Sequence, residues 1–288
     1  MKRIRICAIA SIIVLCTTVI NAQNPIKRQK KSNNRTEQTN KRGAKQSKNK
    51  SSSKQSNAQS NTINVYTEKQ FLDAIGSNRT IILQKSLNLT KIKDDDLKLT
   101  GYTHLSIKGV NPSICLVVSK EDNLVLWFES CKNVSISSLT MGHEDVQGCE
   151  DGVLFFSMCS GVTVYGCDIY GCGWDGITID ESDNITVTNC NIHNCTAQLL
   201  TIMNSSNIKI KDTEFKESVL DGMLFIHDSE QVIFENCSFF DSIEAGRENY
   251  LDKCFNLNCF ISLKNCSIHR KDYLGDINYI NQTGCRWY

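Results

Sequence analysis

The sequence predicts an all-β chain coiled as a right-handed parallel β-helix, a solenoid with a short capping helix at its N-terminal end. The first observation behind this is a repeat: NVSISSLTM from Asn133, GVTVYGCDI from Gly161, NITVTNCNI from Asn184, NIKIKDTEF from Asn207, QVIFENCSF from Gln231 and FISLKNCSI from Phe260. Its anchors Val134, Val162, Ile185, Ile208, Val232 and Ile261 are 28, 23, 23, 24 and 29 residues apart, and Leu105 precedes them by 29. A unit of this size cannot close a core alone and does so by stacking on its neighbours. The second observation is an alternating run upstream in each unit: LVLWF from Leu124, VLFF from Val153, ITID from Ile177, LTIM from Leu200 and MLFI from Met223. Each unit then holds three short strands, and coiling sets equivalent strands about 4.8 Å apart. The third is composition. The chain has only 2 prolines, as central strands require, and Asn189, Asp212, Asn236 and Asn265 recur before the third strand, where a sharp bend is needed.

The elements follow in order. MKRIR, the apolar run ICAIASIIVLCTTVI and the small residue Ala22 form the three-part pattern of a secretory signal peptide over residues 1–22. The run is short for a membrane span of about 20 residues, and no later segment is long and apolar enough to be one. Residues 23–60 are rich in Ser, Asn, Gln, Lys and Arg, a composition that cannot offset the entropy of folding, so a disordered linker is expected. It carries eleven Lys or Arg against the single Glu37. Removing that tail and Lys2, Arg3 and Arg5 from the whole-chain +1 leaves −12 on residues 61–288, an acidic domain behind a basic tail. Such a tail suits an anionic surface, such as a cell-wall polymer, or acts as a solvated spacer. An exported, monomeric protein is expected, secreted, periplasmic or held at the cell surface.

In TEKQFLDAIGS, Thr67 and Gln70 have capping-box spacing, and Phe71, Leu72 and Ile75 share one face. This segment is expected to plug the N-terminal end of the coil, where an open edge must be covered. Alternation then turns Ile177, Ile179, Ile185, Val187 and Ile192 inward and Thr178 and Asp180 outward. The stretch after Lys253 is less regular, with Trp287 placed to close the far end.

Thirteen of the 15 cysteines lie beyond residue 114. Cys167, Cys190, Cys237 and Cys266 share one position of the repeat, with Thr213 substituting. Cys131 and Cys159 share a second, continued by Ser182, Ser205 and Ser229; Cys172 and Cys195 share a third, continued by Ser218 and Ser242. Replacement by Ser and Thr in register points to small side chains packed inside the turns, a buried thiol stack. Where loops give freedom, Cys149 with Cys172 or Cys172 with Cys195 are the candidate disulfides. No CxxC or HxxxH spacing marks a zinc site.

From about Ile63 to Ile280 these repeats resemble those of the pectin-lyase-like superfamily. AIGSNRTIIL, the GH-x5-C of Gly142 to Cys149 and YGCGWDGI are similar to a bacterial group of secreted right-handed β-helix proteins with no assigned activity. The resemblance implies that substrates lie along the first strand of each coil and the loops before it. On this chain those loops carry Asp151, Asp175 and Asp221, each before a glycine, with Gln198 in the remaining coil. Asp180 stands at the strand exit, near Glu129, Asn204, His227 and Asp228. Trp127, Phe156, Met203 and the loop residue Trp174 are read as apolar side chains open to solvent.

Paired carboxylates and aromatic platforms are the groups that glycosidic cleavage uses. Asp151, Asp175 and Asp180 are therefore the catalytic candidates, and Trp127, Phe156, Trp174, Asn204 and His227 the substrate-binding ones. The loop GHEDVQGCEDG adds His143, Glu144 and Asp145, an oxygen-rich cluster that suits Ca2+ and, through it, a uronate polymer. WDGITID also resembles the NTDGID element of polygalacturonases, but no Asp-Asp pair or RIK triplet accompanies it. Pectate-lyase hallmarks are missing too, and Arg247 is the only Arg between Ile81 and His269. Asp-Gly at a loop-to-strand junction equally serves a turn, with Gly supplying positive φ and Asp capping donors. The function expected is engagement of a polysaccharide, with cleavage by a lyase or hydrolase as one form of it. The alternative is a non-catalytic surface adhesion module attached through its basic tail.

Overall fold

A computed structural model of the chain describes residues 61–90, 97–119, 123–144, 151–218, 222–240, 255–269 and 277–288. The leader, the basic tail, Asp145, Cys149, Asp221, Ser242 and Arg247 lie outside the described residues. No described helix is long and apolar enough to cross a membrane.

The central coils each contribute one strand to each of three sheets, which among the described residues hold 7, 10 and 9 strands for the first, second and third strands of the unit. Every strand pairing is parallel, and each joins equivalent positions of consecutive coils: Ile177 faces Leu154 and Leu200, and Ile185 faces Val162 and Ile208. This is the expected right-handed parallel β-helix. Pleating sends every second residue inward, so Ile177, Ile179, Ile185, Val187 and Ile192 are fully buried and stack in columns along the coil axis. The helix Glu68–Ala74 closes the N-terminal end with Phe71 fully buried. Thr67 caps it by accepting from the Gln70 N–H. Gln70 completes the cap one residue further out than the capping box has it, accepting from the Tyr66 N–H at 2.8 Å. At the far end Trp287 packs against the core, and its indole N–H donates to Gln282.

Bends between strands are built on left-handed residues. Asn189, Asp212, Asn236 and Asn265 have φ of 55°, 47°, 56° and 53°, which Asn and Asp tolerate because their short polar side chains bond locally. Asn236 Nδ2 donates to Asp212 Oδ1 at 3.0 Å, so the amides stack from coil to coil. The small-residue positions do more than fit. Ser182 Oγ donates to Asp180 O at 2.8 Å and accepts from the Cys159 N–H of the preceding coil at 2.9 Å. Ser205 and Ser229 repeat both bonds. Cys131, Cys159, Cys190, Cys237 and Cys266 keep the donation to the carbonyl two residues back, at 3.4–3.5 Å through sulfur. These positions thus satisfy polar backbone that the bend would otherwise bury unpaired.

Ser182→Ala is accordingly expected to lower stability by about 1–3 kcal/mol, because the buried Cys159 N–H loses its acceptor. Urea denaturation against wild type checks this; a change within error would show that the bond contributes nothing.

Candidate functional site

The first-strand sheet presents two outward columns. One runs Lys98, Trp127, Phe155, Thr178, Thr201, Phe225 and Asn256. The other runs Thr100, Glu129, Ser157, Asp180, Met203 and His227. Trp127, Asp180, Met203 and His227 stand on this face as expected from the sequence.

Phe156 does not. It is fully buried and stacks on Phe128 in the core at 5.4 Å, whereas its neighbour Phe155 points outward and stacks on Trp127 at 5.3 Å. The reason is register: Leu154 pairs with Ile177 and Phe156 with Ile179, so their shared pleat makes Phe156 inward. VLFF laid over ITID misses this by one residue, because LFFS is the run in register with ITID. Lys98, Thr201 and Phe225 were also missed. Lys98 belongs to a coil where the repeat is least regular, and Thr201 and Phe225 look like ordinary strand residues until the columns are assembled.

Trp127 and Phe155 stack along the coil axis, whereas Phe225 and His227 stack within one strand. Lys98 Nζ lies 4.1 Å from the Trp127 ring centroid, and Phe225 stacks on His227 at 4.1 Å with an interplanar angle of 6°. Stacking against one another makes the strip a row of ring edges, not the set of flat platforms expected. Lys98 Nζ also pairs with Glu129 Oε1 at 2.6 Å. His227 Nε2 is 3.0 Å from Asn256 Oδ1. Two polar atoms in this column are buried without a partner: Trp127 Nε1 and the hydroxyl of Thr201, a residue only 5% exposed. An unpartnered buried donor costs about 1–3 kcal/mol.

The remaining candidates serve the backbone in ways that the structure makes explicit. Asp175 Oδ1 accepts from the Gln198 N–H of the next coil at 3.2 Å, and Oδ2 from the Thr178 hydroxyl at 3.0 Å. Asp151 Oδ1 accepts from the Gly152 N–H, and its carbonyl accepts from the N–H groups of Gly173 and Trp174. Trp174 is 46% exposed in that loop. The two aspartates thus take their bonds from different donors. Gly152 and Gly176 do not have the positive φ expected of them; they are needed for close approach, since a Cβ on Gly176 would lie 2.6 Å from Ile192 Cγ2. Asn204 is a bend residue with φ 48°, and its Nδ2 donates to Asp180 Oδ1 at 3.1 Å.

His143, counted with Glu144 and Asp145 in the loop cluster, turns into the coil and is buried. Its Nδ1 lies 3.1 Å from Gly171 O and its Nε2 2.9 Å from Asn123 O. Burial lowers its pKa from the usual histidine value, against the opposing pull of the two carbonyls. Glu144 binds Asn88 and Ser119, and its carboxyl is held below the usual range by those two bonds, Ser119 first. Among the described residues no three His, Cys, Asp or Glu side chains converge on a metal position. Cys195 is a free thiol, so the Cys172–Cys195 disulfide is not formed, and Cys195 Sγ donates instead to His193 O.

A groove of about 550 Å³ lies elsewhere, at the corner of the second and third strands, lined by Tyr165, Asp168, Asn191, Asp212 and Glu214. Asp168 is already engaged by His193 and Asn191, which lower its pKa in that order despite burial. This groove is not on the first-strand face.

A family profile described as a right-handed beta helix region matches residues 125–239. No curated protein sequence matches the chain. Among solved structures, ORF18 of Geobacillus virus E2 is similar at TM-score 0.59 and 13% identity, over 77% of this chain and 48% of that one. This chain thus spans about half the length of the viral protein. A pectate lyase from Bacillus sp. N165, solved in complex with trigalacturonate, is similar at TM-score 0.53 and 11% identity, over 80% of this chain and 82% of that one. A pectate lyase from Paenibacillus sp. 0602 gives TM-score 0.53 and 9% identity, over 80% and 78%. At such identities the likeness is one of fold. Together with three all-parallel sheets wound from one repeating unit, it makes the fold of this chain a right-handed parallel β-helix.

Proposed function

We propose that this protein binds a polysaccharide laid along the first-strand face, parallel to the coil axis. The observation that carries the reading is the outward column from Trp127 through Phe155 to Phe225, an apolar strip beside the polar side chains of Glu129, Asp180 and His227. Ligand sites join apolar lining to a few convergent polar groups in this way. Sugar hydroxyls would pair with those polar groups while C–H faces cover the ring edges. The pectate lyases that share the fold act on polysaccharide, one of them in complex with trigalacturonate, which supports the same substrate class here. Export, attachment of the basic tail to an anionic surface and a monomeric state belong to this proposal.

Cleavage is the second reading, and one observation favours it. Glu129 and Asp180 stand in the same outward column with Ser157 between them, two coil steps apart. Two steps are about 9.6 Å between backbones, close to the separation of about 6.5–9.5 Å at which an inverting pair admits a water. Asp180 is then the working carboxylate, and Asp151 and Asp175 are turn residues.

The test is retention of the purified full-length chain on a panel of neutral and acidic polysaccharides, with calcium and with chelator, while reducing ends and unsaturated products are followed. Retention that Phe155→Ala weakens by about tenfold or more, about 1.4 kcal/mol, is expected. Product that disappears in Asp180→Asn would establish cleavage. Neither retention nor product on any polymer would end the reading.

A further inference from the structure

The thiol ladder ends in a pair that differs from the others. Cys266 and Cys285 occupy facing positions on the last two coils, because Lys264 pairs with Thr283 and Ser267 with Arg286 on either side of them. The Arg286 N–H donates to Cys266 O at 2.9 Å, which keeps this register tight. Neighbouring parallel backbones lie about 4.8 Å apart, inside the window of about 4.4–6.8 Å that a disulfide requires between Cα atoms. Cys285 Sγ reaches across the coil step to donate to Leu263 O at 3.4 Å.

Cys131 with Cys159 and Cys167 with Cys190 are also stacked, but all four are at most 3–4% exposed and enclosed by coils on both sides. Among the described residues Cys285 is the one partly exposed thiol with another thiol across the coil step. The coil of Cys285 carries, among the described residues, the strands Ile280–Thr283 and Arg286–Trp287, and the first-strand sheet reaches Phe255–Leu257 of the coil before it.

We propose that Cys266 and Cys285 form a thiol–disulfide site, oxidised by a low-molecular-weight disulfide, whose bond fastens the last coil to the solenoid. The partly exposed Cys285 thiolate attacks the oxidant RSSR, forming a mixed disulfide and releasing one thiolate. The Cys266 thiolate then attacks Cys285 Sγ and expels the second. Two protein thiols become one disulfide as RSSR becomes two RSH, so electrons and protons balance. The chemistry of the pair supports this order: the Cys237 thiol beside it holds Cys266 down at about 7, which supplies a resolving thiolate near neutral pH. Burial raises Cys285, so the first attack is the slow one.

Oxidised glutathione is the probe, added to the folded full-length chain. Intact mass should fall by two hydrogens without a glutathione adduct, and peptide mapping should join the Cys266 and Cys285 peptides. The unfolding midpoint should rise by about 4 °C or more and return on adding a dithiol. Cys266→Ser should stop at a glutathione adduct on Cys285, whereas Cys167→Ser should behave as wild type. Cys285→Ser and Cys285→Ala should both abolish the cross-link, so that misfolding of one does not decide the outcome. A stable glutathione adduct on wild-type Cys285, a cross-link between other cysteines, or no reaction would each overturn the proposal.

Discussion

Phe156→Ala is expected to lower folding stability by about 3–5 kcal/mol, while Phe155→Ala, one residue away, costs no more than about 1 kcal/mol. Phe156 is fully buried, stacked on Phe128 and in register with Phe128 and Ile179 of the neighbouring coils. Removing it leaves a cavity between coils that the parallel backbones, hydrogen-bonded on both sides, cannot collapse to fill. Phe155 faces the other way and stacks on Trp127, so its loss exposes one ring of a surface strip. Under the proposed function the phenotypes cross: Phe155→Ala loses polysaccharide retention, and Phe156→Ala retains it for as long as the protein is folded. Urea denaturation and retention measured on both variants test this. Equal destabilisation would mean that the outward strip is structural and would remove the main support for the binding face.

Gly176→Ala should cost about 3 kcal/mol, with Asp175→Asn nearly neutral beside it. The added Cβ would meet Ile192 Cγ2 at 2.6 Å and Leu199 O at 2.7 Å. Leu199 O cannot retreat easily, because it accepts the Ile177 N–H at 3.1 Å. Asparagine at 175 keeps an oxygen acceptor for the Gln198 N–H, so the bond that ties one coil to the next survives. Thermal unfolding of both variants, with product formation measured on any polymer that the wild type cleaves, separates turn from catalyst. A stable Asp175→Asn variant devoid of activity would return Asp175 to the catalytic role that its place in WDGITID first suggested.

Much of this architecture was legible before any coordinates. The spacing of Val134, Val162, Ile185 and Ile208 gives the coil length, and strand alternation gives the buried set. The capping helix follows from Thr67 and the apolar residues after it. Less of the candidate site was legible. Phe155 was hidden by a slip of one residue within VLFF, and one residue is the whole difference between core and surface in a strand. Asn204 has the composition of a binding residue, but its φ of 48° makes it a bend.

What the sequence determined by itself is everything that repeats: the coil period, the three strands, the inward columns and the positions that take Ser, Thr or Cys. These depend on a local period of two and on stacking of like on like, and both are written in order along the chain. Tertiary structure alone decided which groups meet across coils. It turned His143 onto Gly171 O and Asn123 O, set the rings of Trp127 and Phe155 against each other, and gave the Ser182 hydroxyl to Cys159 of the preceding coil. Such contacts join residues some two dozen positions apart through side-chain rotation and register to a few tenths of an ångström. Residue identity and spacing carry no information at that resolution.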